Sequence, residues 1–175
     1  MPRVRSSHRG ALALLLATAA LPAAAAHLEV QGGRSYMDRY GTGAAFIEAT
    51  FAPHAVGDGR LDWSPDLSAG WIDGRDVARY RDARYDTRHS VALVAAGARF
   101  HYGPAGAWYR PLFFSFQLAA NNRTTQALSS HYQFVSTLGW QGEHVSFQLR
   151  HISNGGLNGS NRGETMALVG VGFDL

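Results

Sequence analysis

The chain reads as an all-β protein, an eight-stranded antiparallel up-and-down transmembrane β-barrel, and three features predict this. Short runs alternate large apolar residues with small or polar ones, and polar, Gly-rich breaks separate the runs. No apolar period of three and four persists beyond the N-terminal segment. Successive side chains of a strand point to opposite faces, so each run carries one greasy face and one polar face.

Residues 1–26 stand apart. Arg3, Arg5 and Arg9 form a basic start, "ALALLLATAALPAAAA" supplies an apolar run, and Ala24, Ala25 and Ala26 offer the small residues of a cleavage site. This predicts a secretory signal peptide, because the run is too short and Ala-rich for a membrane anchor of about 20 apolar residues. The barrel is then expected over 27–175. Three of the 16 basic residues leave with the leader, so 13 remain against 13 acidic ones. The resulting neutral balance, with no basic run, excludes nucleic acid as a partner. Cysteine is absent, so an exported chain must be held by its core or by closure of its backbone.

Eight runs are expected as strands: about 28–35, 43–52, 61–72, 88–103, 107–120, 131–142, 144–153 and 163–175. Three of them carry the alternation most clearly. In "YRPLFFSFQLAA" the large apolar positions are Leu112, Phe114, Phe116 and Leu118, opposed by Ser115, Gln117 and Ala119. In "HYQFVSTLGWQG" Tyr132, Phe134, Leu138 and Trp140 oppose Gln133, Thr137 and Gln141. In "EHVSFQLRHIS" Val145, Phe147 and Leu149 oppose Ser146, Gln148 and Arg150. The last run, ending "VGFDL", alternates through Phe173 and Leu175.

A soluble barrel would bury the greasy faces, whereas a membrane barrel turns them to lipid and keeps small and polar residues in the lumen. Runs near ten residues match a tilted membrane strand, and Trp108, Tyr109, Tyr132 and Trp140 fall near strand ends, where interfacial girdles form. Connections alternate in length: "GWIDGRDVARYRDARYDTRHS" and "NNRTTQALSSH" are long and polar, "QGE" is a tight turn. The Arg/Asp-rich connection reads first as a solvated rim, since both signs alternate there, and second as a contact for anionic lipopolysaccharide.

Chemistry concentrates in "RHISNGGLNGSNRGE", Arg150 to Glu164. His151 and Ser153 share a strand face with Val145, Phe147 and Leu149, about 6.5–7 Å apart, so the imidazole can activate the hydroxyl as a nucleophile. An isolated H-x-S is common and usually marks only a strand becoming a loop. Here Asn154 adds an amide donor, and Gly155-Gly156 lets the backbone turn and present N–H groups, the two kinds of donor an oxyanion needs. Glu164 offers a carboxylate to orient the imidazole. Two counts place it differently. Backward from Leu175, Phe173 and Val171, Glu164 falls on the opposite face. Forward, it shares a face with Met166 and Leu168, with Thr165 and Ala167 opposite. A bulge near Val169-Gly170 is expected to reconcile them.

On "HISNGG", Asn161 and Gly163-Glu164, the chain resembles the lipid A 3-O-deacylases of the PagL family, and its leader, size and strand count agree with that resemblance. The resemblance implies an eight-stranded outer-membrane barrel whose Ser-His-Glu site faces lipid. It makes His151 the base, Ser153 the nucleophile and Glu164 the orienting acid. Asn154 with the N–H of Gly155 or Gly156 forms the oxyanion hole, and Asn161 matches a further family asparagine. The substrate is the ester-linked 3-hydroxyacyl chain at position 3 of lipid A, with no metal or cofactor. The expected partners are lipopolysaccharide and outer-membrane lipids, and a homodimer is compatible. The His-to-Glu spacing is one residue shorter than the family pattern. Two other readings stay open: an esterase of the outer-membrane phospholipase type, and a passive eight-stranded surface barrel.

Overall fold

Alternation carries the chain into strands that close on themselves. The computed structural model describes residues 27–157, 159 and 161–175; the expected signal peptide lies outside the described residues. The strands are β1 (His27–Met37), β2 (Tyr40–Thr50), β3 (His54–Val56), β4 (Leu61–Ile72), β5 (Val91–Tyr102), β6 (Leu112–Asn121), β7 (Tyr132–Gln141), β8 (Val145–Ser153) and β9 (Glu164–Asp174). All pairings are antiparallel between chain neighbours, except that β2 pairs with β4 and β1 pairs with β9. The eight long strands therefore form a closed barrel, and closure leaves none of them with a free edge. The short β3 is an addition that the alternation did not predict: it folds as an exposed hairpin onto the start of β4. Trp108 and Tyr109 lie in the turn before β6, outside any strand.

The four connections 38–39, 73–90, 122–131 and 154–163 gather at one mouth, and the turns 51–60, 103–111 and 142–144 gather with both ends of the described chain at the other. The outer wall is predominantly apolar: Val30, Ile47, Val94, Leu118, Leu138, Phe147, Leu149 and Val171 are all exposed large hydrophobics. Exposed Tyr36, Trp71 and Tyr132 ring the long-loop mouth, and Trp63, Tyr102, Trp140 and Phe173 ring the other. Such a belt between two aromatic girdles suits a bilayer, not water.

The lumen is filled in two layers. Toward the turn mouth, Glu48 is paired with Arg99 at 3.1 Å and with Arg150 at 3.0 Å, and Asp66 accepts from Ser115 at 2.6 Å. These groups are shut off from solvent, and each depends on its partners, since a lone buried charge is strongly destabilising. Toward the long-loop mouth, Met37, Ile72, Val91, Leu93, Val135, Ile152, Met166 and Leu168 form an apolar plug, capped by Val77 and Tyr80 of the 73–90 connection and by Ala127 and Leu128. At the surface of the 73–90 connection, Arg81 pairs with Asp76 and Arg88 with Asp86. Hydrogen bonds from Arg81 hold the Asp76 carboxyl below its ordinary range, and Arg88 does the same for Asp86. The solvated-rim reading fits these pairs.

The expected bulge in the last strand is absent. Residues 164–174 alternate without interruption, with Glu164, Met166, Leu168 and Gly170 inward and Thr165, Ala167, Val169 and Val171 outward. Gly170 makes room instead of bending the strand: a Cβ there would lie 1.8 Å from Glu29 Oε1 and 2.6 Å from Ser146 Oγ.

Candidate active site on the outer wall

His151 and Ser153 end the outward column of β8, above Phe147 and Leu149. Their cross-strand partners define the surroundings. Ser153 is opposite Phe134, and His151 lies between Ser136 on β7 and Thr165 on β9. Phe134 stacks on Phe116 at 6.0 Å between centroids, so an aromatic wall adjoins the serine. His151 is exposed and Ser153 half-exposed, and among the described residues the Ser153 hydroxyl has no hydrogen-bond partner. The hydroxyl shares its strand face with the imidazole two residues away, and catalytic contacts of this kind often tighten only with substrate bound.

The ring of His151 is held on two sides. Its Nδ1 lies 2.9 Å from Thr165 Oγ1, a bond between directly paired residues of β8 and β9. Nε2 remains on the side of Gly163. A Cβ at Gly163 would fall 2.8 Å from the ring's Cε1 and 3.2 Å from Nε2, and its φ is +71°. Gly163 therefore serves twice, as a left-handed backbone position and as the surface against which the imidazole rests. Gly163→Ala is expected to cost about 1–2 kcal/mol of backbone strain and to displace the ring. Displacement of about 1 Å costs on the order of 100-fold in rate, to be read as turnover of lipid A by the purified variant.

Glu164, expected as the acid behind His151, is turned the other way. It pairs with Ile152 across the sheet, and Ile152 is fully buried, so the Glu164 carboxylate enters the barrel. There Arg75 Nη2 donates to Oε1 at 2.7 Å and to Oε2 at 2.8 Å, and Ser35 Oγ donates to Oε2 at 2.6 Å. Arg75 also donates to the Tyr40 carbonyl at 2.8 Å, and its backbone N–H to Thr87 O at 2.8 Å. The carboxylate is the far end of a strut that ties the 73–90 connection to the first residue of β9. Uninterrupted alternation decides this: the residue that shares the face of His151 is Thr165.

The expected oxyanion donors divide similarly. Asn154 is fully buried, and its amide donates to Ser129 Oγ at 3.1 Å and Ser130 Oγ at 3.2 Å. Its Oδ1 accepts the Gly156 N–H at 2.9 Å. Both groups are thus committed to shaping the loop. The Gly155 N–H donates to no described residue, and a positive φ at Gly155 and Gly156, +64° and +76°, sets the turn directly after Ser153. Asn161 accepts the Gly163 N–H at 3.0 Å and lies 3.5 Å from Gln133 Oε1, which places it in support of Gly163. Thr165 and Phe134 are the neighbours that motif reading missed. Strict alternation along the last run was the signal for Thr165.

The fold and this face define an outer-membrane barrel with a candidate acyl-transfer centre on its wall. Over residues 50–174 the chain matches the family described as Lipid A 3-O-deacylase (PagL), and it belongs to that family. No curated protein and no solved structure gives a significant match. Membership makes the chain an outer-membrane β-barrel protein of a family that acts on lipid A in lipopolysaccharide.

Proposed function

We propose that this chain removes the ester-linked 3-hydroxyacyl chain at position 3 of lipid A, with Ser153 as nucleophile and His151 as base. The observation that supports it is the pair itself, outward on the apolar wall at the long-loop end of β8, with the ring oriented by Thr165. As Ser153 Oγ bonds to the ester carbonyl carbon, its proton passes to His151 Nε2. The resulting oxyanion is met by the Gly155 N–H. His151 returns the proton to the sugar oxygen as the C–O bond breaks, leaving an acyl-serine that water then cleaves to free hydroxy acid and Ser153.

Asn154, Gly156 and Asn161 act in this scheme by fixing the loop that carries Gly155 and Gly163. Thr165 holds Nδ1 where the resemblance expected a carboxylate. Glu164 contributes from inside the wall, by securing the start of β9. A cleaved leader over 1–26 delivers the chain to the outer membrane.

Mass spectrometry of lipid A from cells producing the chain tests this reading. The expected result is loss of one 3-hydroxyacyl chain. Unchanged lipid A with fatty acid released from phospholipid would instead make it a phospholipase, and neither product would leave a passive barrel.

A further inference from the structure

One cation stands on the lipid-facing wall without an acidic partner. Arg34 on β1 is exposed and outward, one row below Tyr36 of the aromatic girdle, and no carboxylate of the described residues lies within 4 Å of it. Its cross-strand neighbours are Ala167 and Gly43, which offer no charge. The guanidinium lies instead along the sheet: a Cβ at Gly41 would come 3.1 Å from Arg34 Nη2 and 2.8 Å from the Tyr36 ring. Asp73 is seated over Gly43, the residue paired with Arg34, but makes no ion pair with it and accepts instead from Trp71 Nε1 at 2.9 Å. A charge on the outer face of a membrane barrel is unfavourable in lipid, and the penalty shrinks toward the interface. A ligand anion at that depth would remove the penalty.

Register fixes where such an anion would sit. Tyr36 pairs with Thr165, and Thr165 with His151, so these three form one row across β1, β9 and β8. Arg34 pairs with Ala167, and Ala167 with Leu149, the row beneath. Two strand spacings, about 9.6 Å, separate β1 from β8. The Arg34 guanidinium lies over Gly41 of β2, so it must turn toward β9 to meet a phosphate on the sugar that carries the ester. A groove of about 610 Å³ runs from Arg34 and Tyr36 past Ala167 and Leu149 to Leu138 and Trp140, beneath the row that holds His151.

We infer that Arg34, beside Tyr36, is a substrate-anchoring residue that binds a phosphate on the sugar backbone of the lipid whose ester lies at His151 and Ser153. The inference rests on the deacylase reading for the location of the ester. Guanidinium and phosphate form paired, charge-assisted hydrogen bonds, which a neutral amide of similar size does not replace. The apolar groove then receives an acyl chain while the phosphate sets the sugar's position along the row.

The test compares lipid A with chemically dephosphorylated lipid A, both in detergent micelles, on wild type and Arg34→Gln. Arg34→Gln is expected to lower kcat/KM about ten- to a hundred-fold on the phosphorylated lipid, chiefly through KM, and to leave the dephosphorylated lipid unaffected. Equal loss on both lipids, or none on either, overturns the anchor while leaving the deacylase reading intact. Binding to the Ser153→Ala background supplies a readout that needs no turnover. A preference for the phosphorylated lipid that vanishes with Arg34→Gln supports the anchor even if the chain cleaves neither lipid. Absence of that preference in the parent overturns it. Heat-dependent migration on electrophoresis confirms that each variant is a folded barrel.

Discussion

Ser153→Ala is expected to leave the barrel folded and to stop the proposed deacylation of lipid A. The two halves of this expectation have separate causes. Ser153 lies half-exposed at the end of β8, and its hydroxyl bonds to none of the described residues, so deleting one oxygen shifts stability by no more than about 0.5 kcal/mol. The reaction, however, has no covalent route without that oxygen. Loss of an activated nucleophile lowers turnover by about a thousand-fold or more, roughly 4 kcal/mol of transition-state stabilisation. His151→Asn is expected to fall to a similar level, and the double variant no further, because base and nucleophile act in one proton transfer. Turnover of purified lipid A, followed as released hydroxy acid, measures all three. A Ser153→Ala chain that keeps a tenth of the wild-type rate would remove Ser153 from the chemistry.

The barrel was legible in the chain because alternation is a property of single residues and needs no knowledge of neighbours. Phe114, Phe116, Phe147 and Leu149 announced the outer wall, and Gln117, Gln148 and Arg150 the lumen, and the structure places each of them so. The same rule placed His151 and Ser153 outward. What alternation does not give is who stands across the sheet. The pairing of His151 with Thr165 depends on how the 154–163 connection closes, and the pairing of Glu164 with Arg75 depends on a residue 89 positions away. A motif that requires a carboxylate drew the reading toward Glu164 and toward a bulge that the strand does not contain. Gly170 was a genuine signal with another cause, the space claimed by Glu29 and Ser146. Asn154 carries a second part that the motif did not announce: an amide beside two glycines also suits a buried loop anchor, and it bonds to Ser129 and Ser130.

Glu164 separates these roles by experiment, and its removal is expected to be the most destabilising change near the site. Its side chain and that of Arg75 are 5% and 8% exposed, so Glu164→Ala leaves a guanidinium nearly buried and without its carboxylate. Breaking such a pair from one side costs about 3–5 kcal/mol. The loss is read as a lowered denaturant midpoint of the barrel in detergent, with the 73–90 connection opened to protease. Activity falls too, because β9 begins at Glu164 and carries Thr165 to the His151 ring. Replacing both partners by apolar residues, Arg75→Met with Glu164→Leu, removes the stranded charge, and buried pairs replaced in this way are often neutral or stabilising. Stability is therefore expected to return in the double variant. Activity should return with it, to within about ten-fold, if the strut acts only by holding Thr165 in register. A double variant that is as stable as wild type and as inactive as Ser153→Ala would place the carboxylate itself in the reaction, which would require it to leave Arg75 and swing to the outer face.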